Sequence, residues 1–213
     1  MKARQPRPGA KRFYAVAAVM TVSGLLILSP VFAGEHEAPV PASTFSASDP
    51  DTTGRQETPV VDGTRVVIPS LDIAVAWRET GIEDTGTMDI PLAPTAGWYD
   101  QSAPPGSAEG ATVIAAHVDY PDQSLTPFGR LANIQKGASV FVADEAGAVH
   151  EYRVTSLETF NQQLLPDRIF TRTGNPVLVM VTCSGKAVKK PEAEGGQWGY
   201  QNNLVVTAEL VTG

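Results

Sequence analysis

Apolar positions along the chain recur in short runs of five to nine residues rather than in long stripes of helical period. Thr64–Ile68 (TRVVI) is rich in β-formers, Pro69-Ser70 breaks it, and Leu71–Trp77 alternates in part as a second strand. Ala111–Ala116 (ATVIAA), Ser139–Ala143 (SVFVA), Val149–Leu157 (VHEYRVTSL), Val177–Thr182 (VLVMVT) and Leu204–Leu210 (LVVTAEL) supply five more strands. Asp144-Glu145-Ala146-Gly147 reads as a hairpin loop between two of them. Helical candidates are short, around Phe128–Ile134 and Leu165–Phe170, and no internal repeat is present. Many short strands with Gly and Pro punctuation predict a mainly β fold, sandwich or barrel.

Upstream of this region the pattern changes twice. Residues 13–33 are mostly apolar and uncharged, and Lys2, Arg4, Arg7, Lys11 and Arg12 precede them. Residues 1–33 thus read as an export leader. Twenty-one uncharged residues are long enough to span a bilayer, with the basic flank held in the cytoplasm. Val31-Phe32-Ala33 after Ser29-Pro30 equally fits a cleaved signal peptide. Both alternatives place residues 34 onward outside the cytoplasm, either membrane-anchored or secreted. Residues 34–62 are rich in Pro, Ser, Thr, Ala and acids and lack apolar periodicity, which predicts a flexible stalk before a folded domain at 63–213. His36, between Glu35 and Glu37, is a solitary histidine in that stalk, which does not make a metal site.

Charge narrows the partners. Five of the 16 basic residues lie in the leader and none of the 23 acidic ones does, so the remainder carries 11 against 23, or −12. Such a surface excludes nucleic acid as a partner.

Cys183 is the only cysteine, and it follows the apolar run Pro176–Thr182. A buried strand there delivers the thiol to its end, where a loop can open to solvent. A single cysteine in an exported domain forms no internal disulfide, so it is intermolecular, inert and buried, or chemically used. Chemical use needs a base, because the thiolate attacks and the free thiol is mostly protonated at neutral pH. His117 is the candidate, since it directly follows the strand Thr112–Ala116 and an imidazole titrates in the useful range. His150 lies inside VHEYRV, where a half-exposed strand position accounts for it.

These residues resemble the sortases, the cysteine transpeptidases of Gram-positive cell surfaces. The matching features are Thr182-Cys183 after LVMV, His117-Val118-Asp119 after TVIAA, and a leader with a stalk. Further matches are Arg65–Pro69, Gly97-Trp98-Tyr99 before Pro105-Gly106, and Tyr200 with Asn203–Val206. The His-Val-Asp and Gly-Trp-Tyr elements look most like class E or class F enzymes. The resemblance implies a closed eight-stranded β-barrel with short helices. It also implies attack by Cys183 after the Thr of an LPXTG-like sorting signal on a secreted protein, a thioester, and transfer to an amine of a cell-wall precursor or a pilin. His117 would serve as acid and base, and no metal or other cofactor is implied.

The chain departs from the sortase pattern in one respect. Sortases carry an arginine on the strand after the cysteine strand, and this chain has none beyond Arg172. Asn203, or Gln201, is then the candidate oxyanion donor, with Arg130 reaching in from another loop, or Lys186, Lys189 and Lys190, as alternatives. Thr182, Arg130 and Tyr200 are the candidate substrate contacts. The missing arginine also supports a second reading, a weak or silent sortase-like domain that binds wall polymer or sorting peptides. An L,D-transpeptidase or papain-like peptidase also uses Cys and His. No Ser-His-Gly-Cys run is present, and His117 before Cys183 is the reverse of the papain order.

Overall fold

The computed structural model describes residues 58–84, 86–161, 165–189 and 198–212. The leader, nearly all of the predicted stalk and Lys190 lie outside the described residues. Eight strands form the fold: β1 (Arg65–Ile68), β2 (Ile73–Thr80), β3 (Ala96–Tyr99), β4 (Ala111–Ala115), β5 (Ser139–Ala143), β6 (Val149–Asn161), β7 (Val177–Lys189) and β8 (Trp198–Leu210). They close into a barrel in the order β1-β2-β3-β4-β7-β8-β6-β5. The pairs β2–β3 and β4–β7 are parallel and the others antiparallel. Closure leaves no open sheet edge in the barrel wall.

Alternation along the strands explains why β7 reads as a continuous apolar run. Leu178 and Met180 point into the barrel with Ile114, Leu204 and Val206, in a core to which all eight strands contribute. Val179 and Val181 point outward with Val113, Ala115 and Val205. That outer face is itself covered, by Ile82, Met88 and Ile90 of the β2–β3 connection and by Leu165, Ile169 and Phe170 of the β6–β7 connection. A strand buried on both faces needs apolar residues at both parities. Trp77 and Trp98 meet edge to face inside the barrel at 5.9 Å, and each indole N–H donates to a backbone carbonyl, Ala143 and Ala103 respectively.

Among the described residues the helices are three short 3-10 segments: η1 (Pro69–Leu71), η2 (Pro127–Asn133) and η3 (Asp167–Phe170). The expected helical segments fall at η2 and η3, too short to sustain an α-helix. Pro127 opens η2, the Thr126 hydroxyl caps it by accepting from Gly129 N, and Phe128 and Leu131 plug the barrel.

Two differences from the sequence expectation bear on the site. Cys183 is not at a strand end. β7 continues to Lys189 and β8 begins at Trp198, so the two run on together past the reactive region. Past the bulge these added residues pair as a two-stranded ribbon, which needs no apolar run and leaves no periodic signal. The register shifts between Ser184 and Ala187, where Gly185 has φ +80° and a Cβ would come 2.8 Å from the Asn202 amide nitrogen. The second difference is β3, four residues containing Gly97 and two small or aromatic neighbours, which carries no pattern of its own and is a strand through pairing with β2 and β4.

The Thr182 hydroxyl, 4% exposed with its residue, donates to the Ala116 carbonyl at 2.9 Å and so pins β7 to β4. Thr182→Val keeps the shape and deletes the donor. The expected cost is about 1–3 kcal/mol in urea unfolding, with Thr182→Ser retaining most of the stability. An unchanged urea midpoint in Thr182→Val would show that the bond carries no stability.

Candidate functional site

The β4–β7 register relates the two candidate reactive residues. Ala111↔Val177 through Ala115↔Val181 are paired, and Ala116 N donates to Val181 O at 3.1 Å. The ladder ends there; counted on by the same register, His117, two residues past β4, comes level with Cys183 of β7. Cys183 shares the parity of Val181 and belongs to the outer face. Neighbouring strands lie about 4.8 Å apart, within reach of a thiol and an imidazole. The row continues across the sheet, since Cys183 pairs with Asn203 on β8 and Asn203 with Phe160 on β6. Cys183 is half-buried and Asn203 is 4% exposed.

His117 is fixed from several sides. Its carbonyl accepts from the Thr126 hydroxyl at 2.7 Å, so the cap of η2 also sets the strand exit. The Ile90 carbonyl acts on the ring and favours its charged form. A small crevice lined by Ala93, Pro94, Thr95, Ala116, Thr126 and Phe128 flanks the imidazole. Burial in these surroundings lowers the His117 pKa, against the opposing pull of the Ile90 carbonyl and the Asp119 carboxylate. The resting imidazole is therefore neutral at pH 7.

Asp119, two residues on, accepts a hydrogen bond from the Tyr200 hydroxyl at 2.7 Å. The Tyr200 pKa is pushed up to about 12, by burial first, then by the bond to Asp119 and the negative charges of Asp119 and Cys183. Asp119, Cys183 and the Tyr200 hydroxyl thus share one electrostatic neighbourhood.

The other candidates are placed as follows. Thr182 faces the barrel interior, behind the groove, where it holds Ala116 instead of lining the outer face. Arg130 donates to the Asp72 carbonyl beyond η1. Lys186 lies within the bulge and Lys189 on the ribbon past it, and Gln201 is exposed. His150 bonds Asp144 Oδ2 at 2.9 Å, at the β5–β6 hairpin. No cluster of three or more His, Cys, Asp or Glu able to hold a metal occurs among the described residues. Two contributors to the site were not singled out in the sequence. The Ile90 carbonyl is backbone and has no residue signature. Arg168 stacks over Phe160 at 5.4 Å and grips both Glu158 oxygens at 2.9 and 2.8 Å, at the far end of the row.

The closed eight-stranded barrel with few short helices is a fold of the sortase type. The sortase domain family matches residues 66–211, well over half of the chain, and the protein belongs to the sortase family. Membership implies a cysteine transpeptidase. Similar solved structures include sortase C-1 from Actinomyces oris, at TM-score 0.54 and 21% identity over 70% of this chain and 73% of that one. Sortase C2 of Group B Streptococcus pilus island 1 aligns at 0.53 and 19% over 70% and 73%. A lid mutant of sortase A from Corynebacterium diphtheriae aligns at 0.52 and 20% over 74% and 73%. At these identities the likeness is one of fold. No curated protein matches the chain.

A histidine held neutral by burial makes stability depend on pH. Because the folded pKa lies below 6.5, the unfolded chain binds a proton that the folded chain refuses between the two values. Stability should rise with pH through that window, level off above about 6.5, and be lost as pH falls through the folded value. Urea midpoints from pH 4.5 to 8 should show this increment in the wild type and lose it in His117→Gln. An identical increment in both proteins would assign it to another group.

Proposed function

We propose that this protein is a cell-surface transpeptidase that cleaves an LPXTG-like sorting signal on secreted proteins and transfers them to an amine of the cell wall or of a pilin. The single observation that supports this reading is the parallel β4–β7 register, whose last pair, Ala115 and Val181, lies two residues before His117 on one chain and Cys183 on the other. The N-terminal segment, by its leader character, would hold the domain at the membrane, and the His-Val-Asp and Gly-Trp-Tyr elements favour class E or F.

The Cys183 thiol passes its proton to His117, and the thiolate attacks the carbonyl that follows the Thr side chain of the signal. The tetrahedral oxyanion collapses, the C–N bond breaks, and His117 returns the proton to the leaving amine. An acceptor amine then attacks the thioester, the C–S bond breaks, and the amine's proton ends on the departing thiolate by way of His117. The oxyanion needs donors. Asn203 is directly across from Cys183 with its side-chain amide on the same face, and it is the best-placed neutral donor in the row.

Mixing the protein with a sorting peptide should yield an acyl adduct on Cys183, detected by mass spectrometry and released by hydroxylamine. Cys183→Ala should abolish turnover and change stability by less than about 1.5 kcal/mol. A folded wild type that forms no adduct with any sorting peptide would favour a silent binding domain, the reading that the missing arginine supports.

Asn203→Ala should lower turnover about 10² to 10³-fold and leave peptide affinity nearly unchanged, because the bond forms mainly in the transition state. Arg130→Ala is the paired control. If Arg130→Ala is the crippling change and Asn203→Ala is silent, the guanidinium leaves Asp72 for the groove and Asn203 is not the donor.

A further inference from the structure

Moving a proton from Cys183 to His117 creates an imidazolium in a crevice that disfavours it. Something must stabilise that charge at the moment of reaction. Around the reaction centre β7 contributes Cys183, β8 contributes Asn203 and Tyr200, and the β2–β3 connection contributes the uncharged Ile90 carbonyl. Thr126, before η2, contributes a neutral hydroxyl. Asp119 is the charged side chain acting on His117 among the described residues.

The Asp119 carboxylate is held from two directions. Its backbone bridges to Leu125, and the loop between them is closed by Tyr120 N to Ser124 O at 2.8 Å and Thr126 N to Val118 O at 3.1 Å. Its side chain is taken by Tyr200, 81 residues later. Tyr200 is in turn set by pairing with Ala187, immediately past the β7 bulge. The Tyr200–Asp119 bond therefore joins the ribbon past the bulge to the loop that follows His117. Tyr200 stays protonated, and so stays a donor, because burial and the adjacent negative charges oppose its ionisation.

We propose that Asp119 and Tyr200 are a positioning pair: the Tyr200 hydroxyl holds the Asp119 carboxylate beside His117, where it stabilises the imidazolium formed when Cys183 gives up its proton. This rests on the transpeptidase reading of the same site. It assigns Tyr200 a role toward Asp119 and not the substrate contact that the sequence suggests.

The test uses the full chain, in which Cys183 is the only thiol, with Asp119→Asn, Tyr200→Phe and the double variant. Iodoacetamide alkylation, followed by mass spectrometry across pH 5.5–9.5, reads the thiolate without any peptide. Asp119→Asn should slow alkylation about tenfold near pH 7, the equivalent of one pKa unit, and leave the rate at pH 9.5 unchanged, where the thiol ionises without help from His117. Tyr200→Phe should act in the same direction and more weakly, and the double variant should be no slower than Asp119→Asn. With a sorting peptide, kcat should fall and KM stay constant. Unchanged alkylation profiles in both single variants overturn the proposal. So does a Tyr200→Phe that raises KM alone, which would make Tyr200 a substrate contact. If Asp119→Asn fails to fold, the Tyr200→Phe alkylation profile decides. If the wild type turns over no sorting peptide, the transpeptidase reading fails, and the alkylation profiles still decide the pair.

Discussion

The register of the parallel β4–β7 pair is the constraint on which the rest of the molecule depends. Parallel neighbours cannot be joined by a tight turn, and here β5 and β6 intervene before the chain returns. The register is therefore set by packing and side chains. A slip of one residue would turn every β7 side chain to the other face, carrying Cys183 into the barrel and Thr182 out of it. Two features oppose that slip. Val179 and Val181 have partners outside as Leu178 and Met180 have inside, and the Thr182 hydroxyl finds the Ala116 carbonyl only in the observed alignment. Thr182 thus serves the site from behind.

Covering the outer face of β4, β7 and β8 has a chemical consequence. The loops that bury Val181 and Val205 also wall in His117, and the Ile90 carbonyl comes from the same connection that supplies Met88 and Ile90 to the outer cluster. The layer that stabilises the fold thereby desolvates the imidazole. Burial favours a neutral His117 at rest, while the reaction needs it charged in passing. The carboxylate of Asp119 and the Ile90 carbonyl oppose burial and keep the charged form accessible.

The barrel was legible in the sequence wherever strands carry their own apolar signal. β1, β2, β4, β5, β6 and the barrel halves of β7 and β8 all announce themselves in this way. The rest was written in pairing and not in composition. Gly97-Trp98 is a strand because β2 and β4 flank it, and Ser184–Lys189 is one because β8 runs beside it. For the site, Cys183 and His117 stood out as a lone thiol and an imidazole following apolar runs, and that those two runs are neighbours follows from strand order. The inward turn of Thr182 was available from alternation, since Leu178 and Met180 share its parity. The Tyr200–Asp119 bond was not, because it joins residues 81 apart through a bulge that no local pattern specifies.

The absent arginine has a meaning beyond the loss of one donor. Arg130, Arg153 and Arg168 are engaged with Asp72, Glu151 and Glu158 respectively, so these guanidiniums serve the scaffold. The row His117–Cys183–Asn203–Phe160 contains no fixed positive charge, and the nearest acid, Asp119, is negative. In the proposed mechanism the cation that faces the developing oxyanion is then the one the reaction itself makes, the His117 imidazolium, assisted by a neutral amide. A fixed guanidinium stabilises thiolate and oxyanion alike, before and during reaction. A transient imidazolium appears only once Cys183 has ionised, so its stabilisation is concentrated on the reacting state, and the acid that supports it becomes as consequential as the nucleophile.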